Sequence, residues 1–132
     1  MLIDLIKAKG EELKILEGTD RLQYLVDLAR QVEPLDEKFK TEENKIRGCV
    51  SNLWLTGKVS PDGKMKYKHD ADSYITKGTA KLLIDLCDGQ DKNEVSKLVL
   101  GDFKWLGIRE LLTPQRQIGF AGLIERIINY AR

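Results

Sequence analysis

LWLTGKVSPDGKMKYKH, residues 53–69, decides the fold. Leu53, Leu55, Gly57 and Val59 alternate with Asn52, Trp54 and Thr56, the period of a strand covered on at least one face. Ser60-Pro61-Asp62-Gly63 follows as strong turn chemistry, with proline presetting one turn residue and glycine accepting the left-handed one. Met65, Tyr67 and His69 then alternate with lysines on a half-solvated return strand. A hairpin is therefore expected, and what surrounds it is helical.

Upstream, Leu2, Leu5, Ile6, Leu13 and Leu16 fall near helical period, with Gly10 weakening the middle. Gly18 breaks this helix, Thr19 or Asp20 can cap the next, and Leu22, Leu25, Val26, Ala29 and Val32 mark its apolar face until Pro34. From Pro34 to Asn44 the chain is charged and aperiodic, with Leu35 and Phe39 as anchors, and reads as a loop. Downstream, Asp70 to Ser73 offers helix caps for a helix through Ile75, Leu82, Leu83, Leu86 and Cys87, closed by Gly89, in which Gly78 permits close packing. Asp91 to Glu94 has the spacing of a capping box, Phe103, Trp105 and Leu106 mark a short turn, and Thr113-Pro114 opens a long last helix with Phe120, Leu123, Ile124, Ile127 and Ile128 on its buried stripe. Helices, a hairpin, then helices make an α+β fold with a small antiparallel sheet, since nothing alternates as a parallel fold does.

Length and charge limit the function. The chain of 132 residues is long enough for one core and short for two, so residues 1–132 are read as a single domain. Lysine and arginine number 22 against 21 aspartate and glutamate, which leaves no field favouring nucleic acid or an anionic membrane. Met1 to Ala8 is too short and polar for an export signal. Two cysteines without such a signal fit a reducing cytoplasmic setting, where free thiols invite a reactive role.

One of those thiols, Cys49, lies in NKIRGCVSNLWL, residues 44–55. Gly48 relaxes the backbone before it, and Lys45 and Arg47 supply positive charge that favours the thiolate, the form that attacks electrophiles. From spacing alone, a small apolar residue at a strand edge is an equal reading.

Gly48-Cys49, Ser51 and Trp54-Leu55 resemble the signature loop of the SufE family, the sulfur acceptors of cysteine desulfurases in iron-sulfur cluster assembly. Ala71-Asp72-Ser73 with Ile75 and Lys77-Gly78, and Leu112-Thr113-Pro114-Gln115-Arg116 with Gly119, are similar to two further blocks of that family, in register from about Asp20 onward. The resemblance implies a SufE/IscU-like sheet of about three strands, the third a short one before Gly48. It implies Cys49 as the persulfide carrier, with Arg116, Asp72, Gly48 and Ser51 in support, and no cofactor of its own, pyridoxal phosphate belonging to the partner enzyme. The implied partners are a SufS-like cysteine desulfurase, which the protein would stimulate by relieving it of sulfur, and a SufBCD-like iron-sulfur scaffold. Monomer and homodimer stay open. Val50 stands where the family usually has glutamine, and Ile118 where it has asparagine or glutamine, so polar contacts around the loop are expected to be rearranged. Gly48 would let the loop hide the thiol at rest and present it to a partner.

Several residues have competing roles. Cys87, four residues after Leu83, reads as core packing rather than a resolving thiol. A cysteine-dependent hydrolase using Cys49 and His69 has no orienting third residue, and His69 reads more simply as a solvated strand histidine. A non-catalytic interaction module remains a third reading. Cys49, Cys87 and His69 are too few for a structural zinc site, and two cysteines too few to hold a cluster. Arg116 in the first turn of a helix is mildly unfavourable there, which hints at another use, with an exposed ion-pairing arginine as the alternative. Asp72 has a sufficient structural reason as a helix cap.

Overall fold

The computed structural model describes residues 1–48 and 51–132. Leu53–Val59 (β1) and Met65–Ala71 (β2) form an antiparallel hairpin in which Leu55 faces His69 and Gly57 faces Tyr67. The Gly63 amide donates to the Ser60 carbonyl at 2.9 Å, and Gly63 has a φ of +82° that only glycine takes without strain. Among the described residues the sheet has two strands rather than three. The expected third is reduced to one bridge between Lys45 and Trp54, because the segment before Gly48 makes just two backbone hydrogen bonds to β1 among the described residues, Ile46 N to Leu53 O and Leu55 N to Asn44 O, both 2.8 Å.

Five α-helices accompany the hairpin among the described residues. Leu2–Lys14 (α1) buries Leu2, Ile6, Gly10 and Leu13, while Leu5, expected on that face, is exposed. Gly10 does not merely weaken α1: a Cβ there would overlap the carbonyl oxygen of Trp105, so the glycine lets the Leu100–Leu106 3-10 turn press on the helix. Gly18–Ala29 (α2) starts without a side-chain cap, so neither Thr19 nor Asp20 acts as one, and it ends at Ala29, five residues before Pro34. Tyr74–Cys87 (α3) is capped by Ser73, whose Oγ accepts from Thr76 N, and is followed by Gly89 at φ +77°. Lys92–Ser96 (α4) is capped by Asp91, and Pro114–Asn129 (α5) by Thr113.

Packing follows the apolar stripes. Gly78 brings α3 onto the Leu25 carbonyl of α2 so closely that no Cβ fits between them. The α5 stripe from Phe120 to Ile128 is buried as expected. Two tyrosines fasten its end to the hairpin: Tyr67 Oη donates to Ile127 O at 2.7 Å, and Tyr130 Oη to Leu55 O at 3.1 Å, with the Tyr130 ring lying over Gly57. Asp70 is buried on the other side of the sheet. Its carboxylate meets Lys77 at 3.1 Å and Lys40 at 3.4 Å and accepts from the Leu35 and Ala71 amides.

A Gly78→Ala substitution forces its methyl into a backbone carbonyl, an overpacking expected to cost about 3 kcal/mol. Gly101, around which a Cβ meets nothing within 4 Å, is the control. Thermal melts should show a large loss for Gly78→Ala and little change for Gly101→Ala.

Candidate functional site

Cys49 and Val50 lie outside the described residues, but both arms of the chain that carry them are described. The leading arm, Glu43 to Gly48, is laid along α5. Arg126 donates to the carbonyls of Glu43 (3.0 Å) and Lys45 (3.3 Å). Gly122 leaves only 3.2 Å between a would-be Cβ and Arg47 O. Ile118 sits over Gly48, with Cγ2 2.5 Å from where a Cβ would stand. These three residues are spaced i, i+4, i+8 and form one line along the helix. Gly48 also has a φ of +83°, so a valine there would be strained regardless of any loop motion.

The trailing arm is held by the start of α3. Ser51 shares a 3.2 Å hydroxyl hydrogen bond with Thr76. Asn52 Nδ2 donates to Asp72 Oδ2 at 2.8 Å, and Asp72 N returns a bond to Asn52 O at 3.1 Å. The cap that Asp72 was expected to provide falls to Ser73, which frees the Asp72 carboxylate for Asn52. Arg116 is half-buried and forms no ion pair among the described residues. It borders a small apolar cavity of about 20 Å³ shared with Leu53, Thr76 and Leu112. Ser51, Asp72 and Arg116 are thus arranged around one arm, and Gly48 ends the other.

Arg47 and Arg109 are exposed and also lack carboxylate partners among the described residues. They line a groove of about 750 Å³ with Gln117 and Ile118. Together with Arg116, they give the loop face a cationic border. Arg109 and Arg126 were not singled out from the sequence. The signal for Arg126 was the 118-122-126 spacing, which puts a small residue between two long ones on one helix face.

The other chemistry-bearing residues lie elsewhere. Cys87 is buried, and burial followed by the neighbouring Asp88 charge pushes its thiol up to about 12, so it is a packing residue. His69 is half-buried rather than simply solvated. It lines a different cleft, between residues 31–36 and α3, and its Nδ1 is buried without a hydrogen-bond partner. Burial, reinforced by Lys81 and Lys77 and opposed by Asp70, lowers its pKa to about 4. No cluster of three or more metal-ligating side chains occurs among the described residues, and none of their helices is long and apolar enough to cross a membrane.

A match to the SufE family, described as an Fe-S metabolism associated domain, covers residues 8–131. The chain belongs to the SufE family. It is 31% identical over 111 residues to SufE-like protein 1, chloroplastic/mitochondrial, of Arabidopsis thaliana, covering 84% of this chain but 30% of that protein. An uncharacterized SufE-like protein of Rhizobium etli is 30% identical over 117 residues, covering 86% of this chain and 79% of the relative. Chloroplastic quinolinate synthase of Arabidopsis thaliana is similar over a smaller share, 34% identical over 99 residues that make up 14% of its length. The chain thus spans less than a third of some relatives it matches and most of others. The solution structure of a hypothetical protein from Thermus thermophilus superposes with a TM-score of 0.79 over 96% of this chain and 92% of that one at 23% identity, which shows the shared α+β fold. The SufE resemblance of the chain is therefore a family relationship.

His69 gives this SufE-family chain a specific acid response. An unfolded histidine titrates near 6.5 and the folded His69 near about 4, so the unfolded chain binds more protons between those values. The stability from neutral His69 should be full above pH 6.5 and fall by about 3 kcal/mol as pH drops to 4. Asp70, whose pKa is held below the ordinary value, loses its contribution only below the normal carboxylate range. Melting temperatures of His69→Leu across pH 4 to 6.5 should be flatter than wild type.

Proposed function

We propose that this chain accepts persulfide sulfur from a pyridoxal-phosphate cysteine desulfurase onto Cys49, stimulates that enzyme by unloading it, and delivers the sulfur for iron-sulfur cluster assembly. The observation that carries the reading is the inaccessibility of the only other thiol: Cys87 is fully buried, so chemistry at sulfur falls to Cys49. The anchored arms and the unpaired arginines around them support it.

The transfer is an exchange at sulfur. Cys49 thiolate attacks the terminal sulfur of the desulfurase persulfide, a new S–S bond forms to Cys49, the old S–S bond breaks, and the desulfurase leaves as thiolate. The proton on the terminal sulfur travels with it, and no net oxidation occurs. A carrier of this kind needs an available thiolate and a docking face, not a general base. His69, neutral in another cleft with its Nδ1 buried, is a poor candidate for a hydrolase base. Cation charge from Arg47 and Arg116 favours the thiolate. The partner is a SufS-like enzyme in the cytoplasm, and the recipient a SufBCD-like scaffold.

Intact mass spectrometry after incubation with a desulfurase, pyridoxal phosphate and cysteine should show sulfur-sized increments on wild type and on Cys87→Ser, and none on Cys49→Ser. Cys87→Ser should lose about 2 kcal/mol of stability, because it puts a hydroxyl in an apolar helix face. Full sulfur loading of Cys49→Ser would overturn the assignment.

The cationic border implies an acidic partner surface. Replacing Arg109 with glutamate should raise the KM for the desulfurase by about tenfold and reduce its dependence on salt, with kcat little changed. Steady-state desulfurase assays across ionic strength would read this. An Arg109→Glu protein with the wild-type salt dependence would show that the arginines do not face the partner.

A further inference from the structure

We propose that the open edge of β2 is a second docking site, for an extended peptide segment of a partner protein that alternates apolar and basic side chains. The hydrogen-bond phase of the hairpin supplies the first argument. Leu53 O and Leu55 N point away from β2, toward Ile46 and Asn44. The pairs Leu53–Ala71, Leu55–His69, Gly57–Tyr67 and Val59–Met65 are therefore the non-hydrogen-bonded ones, and Met65, Tyr67 and His69 turn their main-chain groups outward.

Met65 uses both of its outward groups, donating to Gln90 O at 2.9 Å and accepting from Gly89 N at 2.8 Å. Tyr67 N donates to Asp88 Oδ1 at 2.8 Å. Tyr67 C=O, His69 N–H and His69 C=O have no protein partner among the described residues. The edge thus presents acceptor, donor and acceptor in a row spanning about 7 Å, the pattern that a further strand satisfies.

The surroundings fit a main chain with particular side chains. A cleft of about 440 Å³ runs beside Tyr67 and His69. One wall is residues 31–36; the other is Lys81, Ile84 and Asp85 on one stripe of α3, with Asp88 just past its end. Lys81 is neutralised by Asp85 at 3.0 Å, whereas Glu33, Asp36 and Asp88 form no ion pair among the described residues. Three uncompensated carboxylates against Lys68 leave the cleft acidic, which selects basic side chains on its occupant, while the mostly buried Leu35 and Ile84 show it only a thin apolar floor for the side chains in between. Asp85 lies nine residues beyond Thr76, about 13 Å along α3, so this site is separate from the cysteine loop.

The test uses the full chain, 15N-labelled, and an acetylated, amidated Lys-Val-Lys-Val-Lys peptide. In the free protein the His69 amide should exchange rapidly with solvent. Titration should give saturable shifts at Tyr67–His69 and Glu33–Asp36, and should slow His69 exchange. A Glu-Val-Glu-Val-Glu peptide should bind about tenfold more weakly, as should the first peptide to a Glu33→Lys, Asp36→Lys protein. N-methylation of the peptide backbone should abolish binding, since it removes the donors for the edge. Shifts absent, centred on another surface, or unchanged by N-methylation would overturn the proposal. A His69 amide already protected in the free chain would also overturn it, by showing the edge occupied. Sulfur loading of Cys49 should be unchanged in the double-lysine protein, so this test stands apart from the sulfur-acceptor reading.

Discussion

The Asp70 carboxylate is the tie on which the arrangement depends. Burial alone would raise its pKa, and the Leu35 amide, Lys77 and the Ala71 amide outweigh that cost and hold it ionised. The four partners come from three parts of the chain: Leu35 and Lys40 from the long loop after α2, Ala71 from β2 itself, and Lys77 from the first turns of α3. A buried charge left without any of these would be expensive, so the loop, strand and helix are fixed relative to each other as a condition of folding. Lys40 also lies 5.4 Å from the centre of the Trp54 ring, which extends the tie to β1. The leading arm of the cysteine segment begins where that loop ends.

From there the site is built by two helix beginnings and one helix face. The first turn of α3 holds Ser51 and Asn52, the first turn of α5 supplies Arg116, and the later turns of α5 hold Glu43 to Gly48 through Ile118, Gly122 and Arg126. Ile118 packs an apolar side chain against Gly48, and Arg126 supplies main-chain hydrogen bonds to the same arm. Packing and a guanidinium bridge thus hold the loop base in this chain.

The hairpin, the helices and the α5 stripe were legible because each is a local pattern: period two around Ser60-Pro61-Asp62-Gly63, period 3.6 elsewhere, and capping residues at helix starts. The cysteine loop and its neighbours were legible through blocks that match the family. What was missed is tertiary. Gly10 looked like a weak helix position because its reason is a carbonyl nearly a hundred residues away. Asp72 looked like a cap because Ser73, beside it, offers the same chemistry and takes the role. His69 alternates with lysines and so looked solvated, yet it is half-buried beside the cleft between residues 31–36 and α3, with Nδ1 closed off from solvent. The third strand shrank to a bridge because the α5 line pulls the arm after Ile46 away from β1.

The sulfur-carrier role proposed for this chain sets two demands that oppose each other. Its thiol must be reactive toward another protein's persulfide, and the carrier itself must stay intact while the thiol segment meets that partner. Separate anchoring of the two arms meets both. Strain introduced between Gly48 and Ser51 is resisted on one side by α5 and on the other by α3, and those helices are held by buried stripes and by the Gly78 contact rather than by the segment itself. A site with a general base would have to fix that stretch against a second catalytic group; a carrier need fix only its ends.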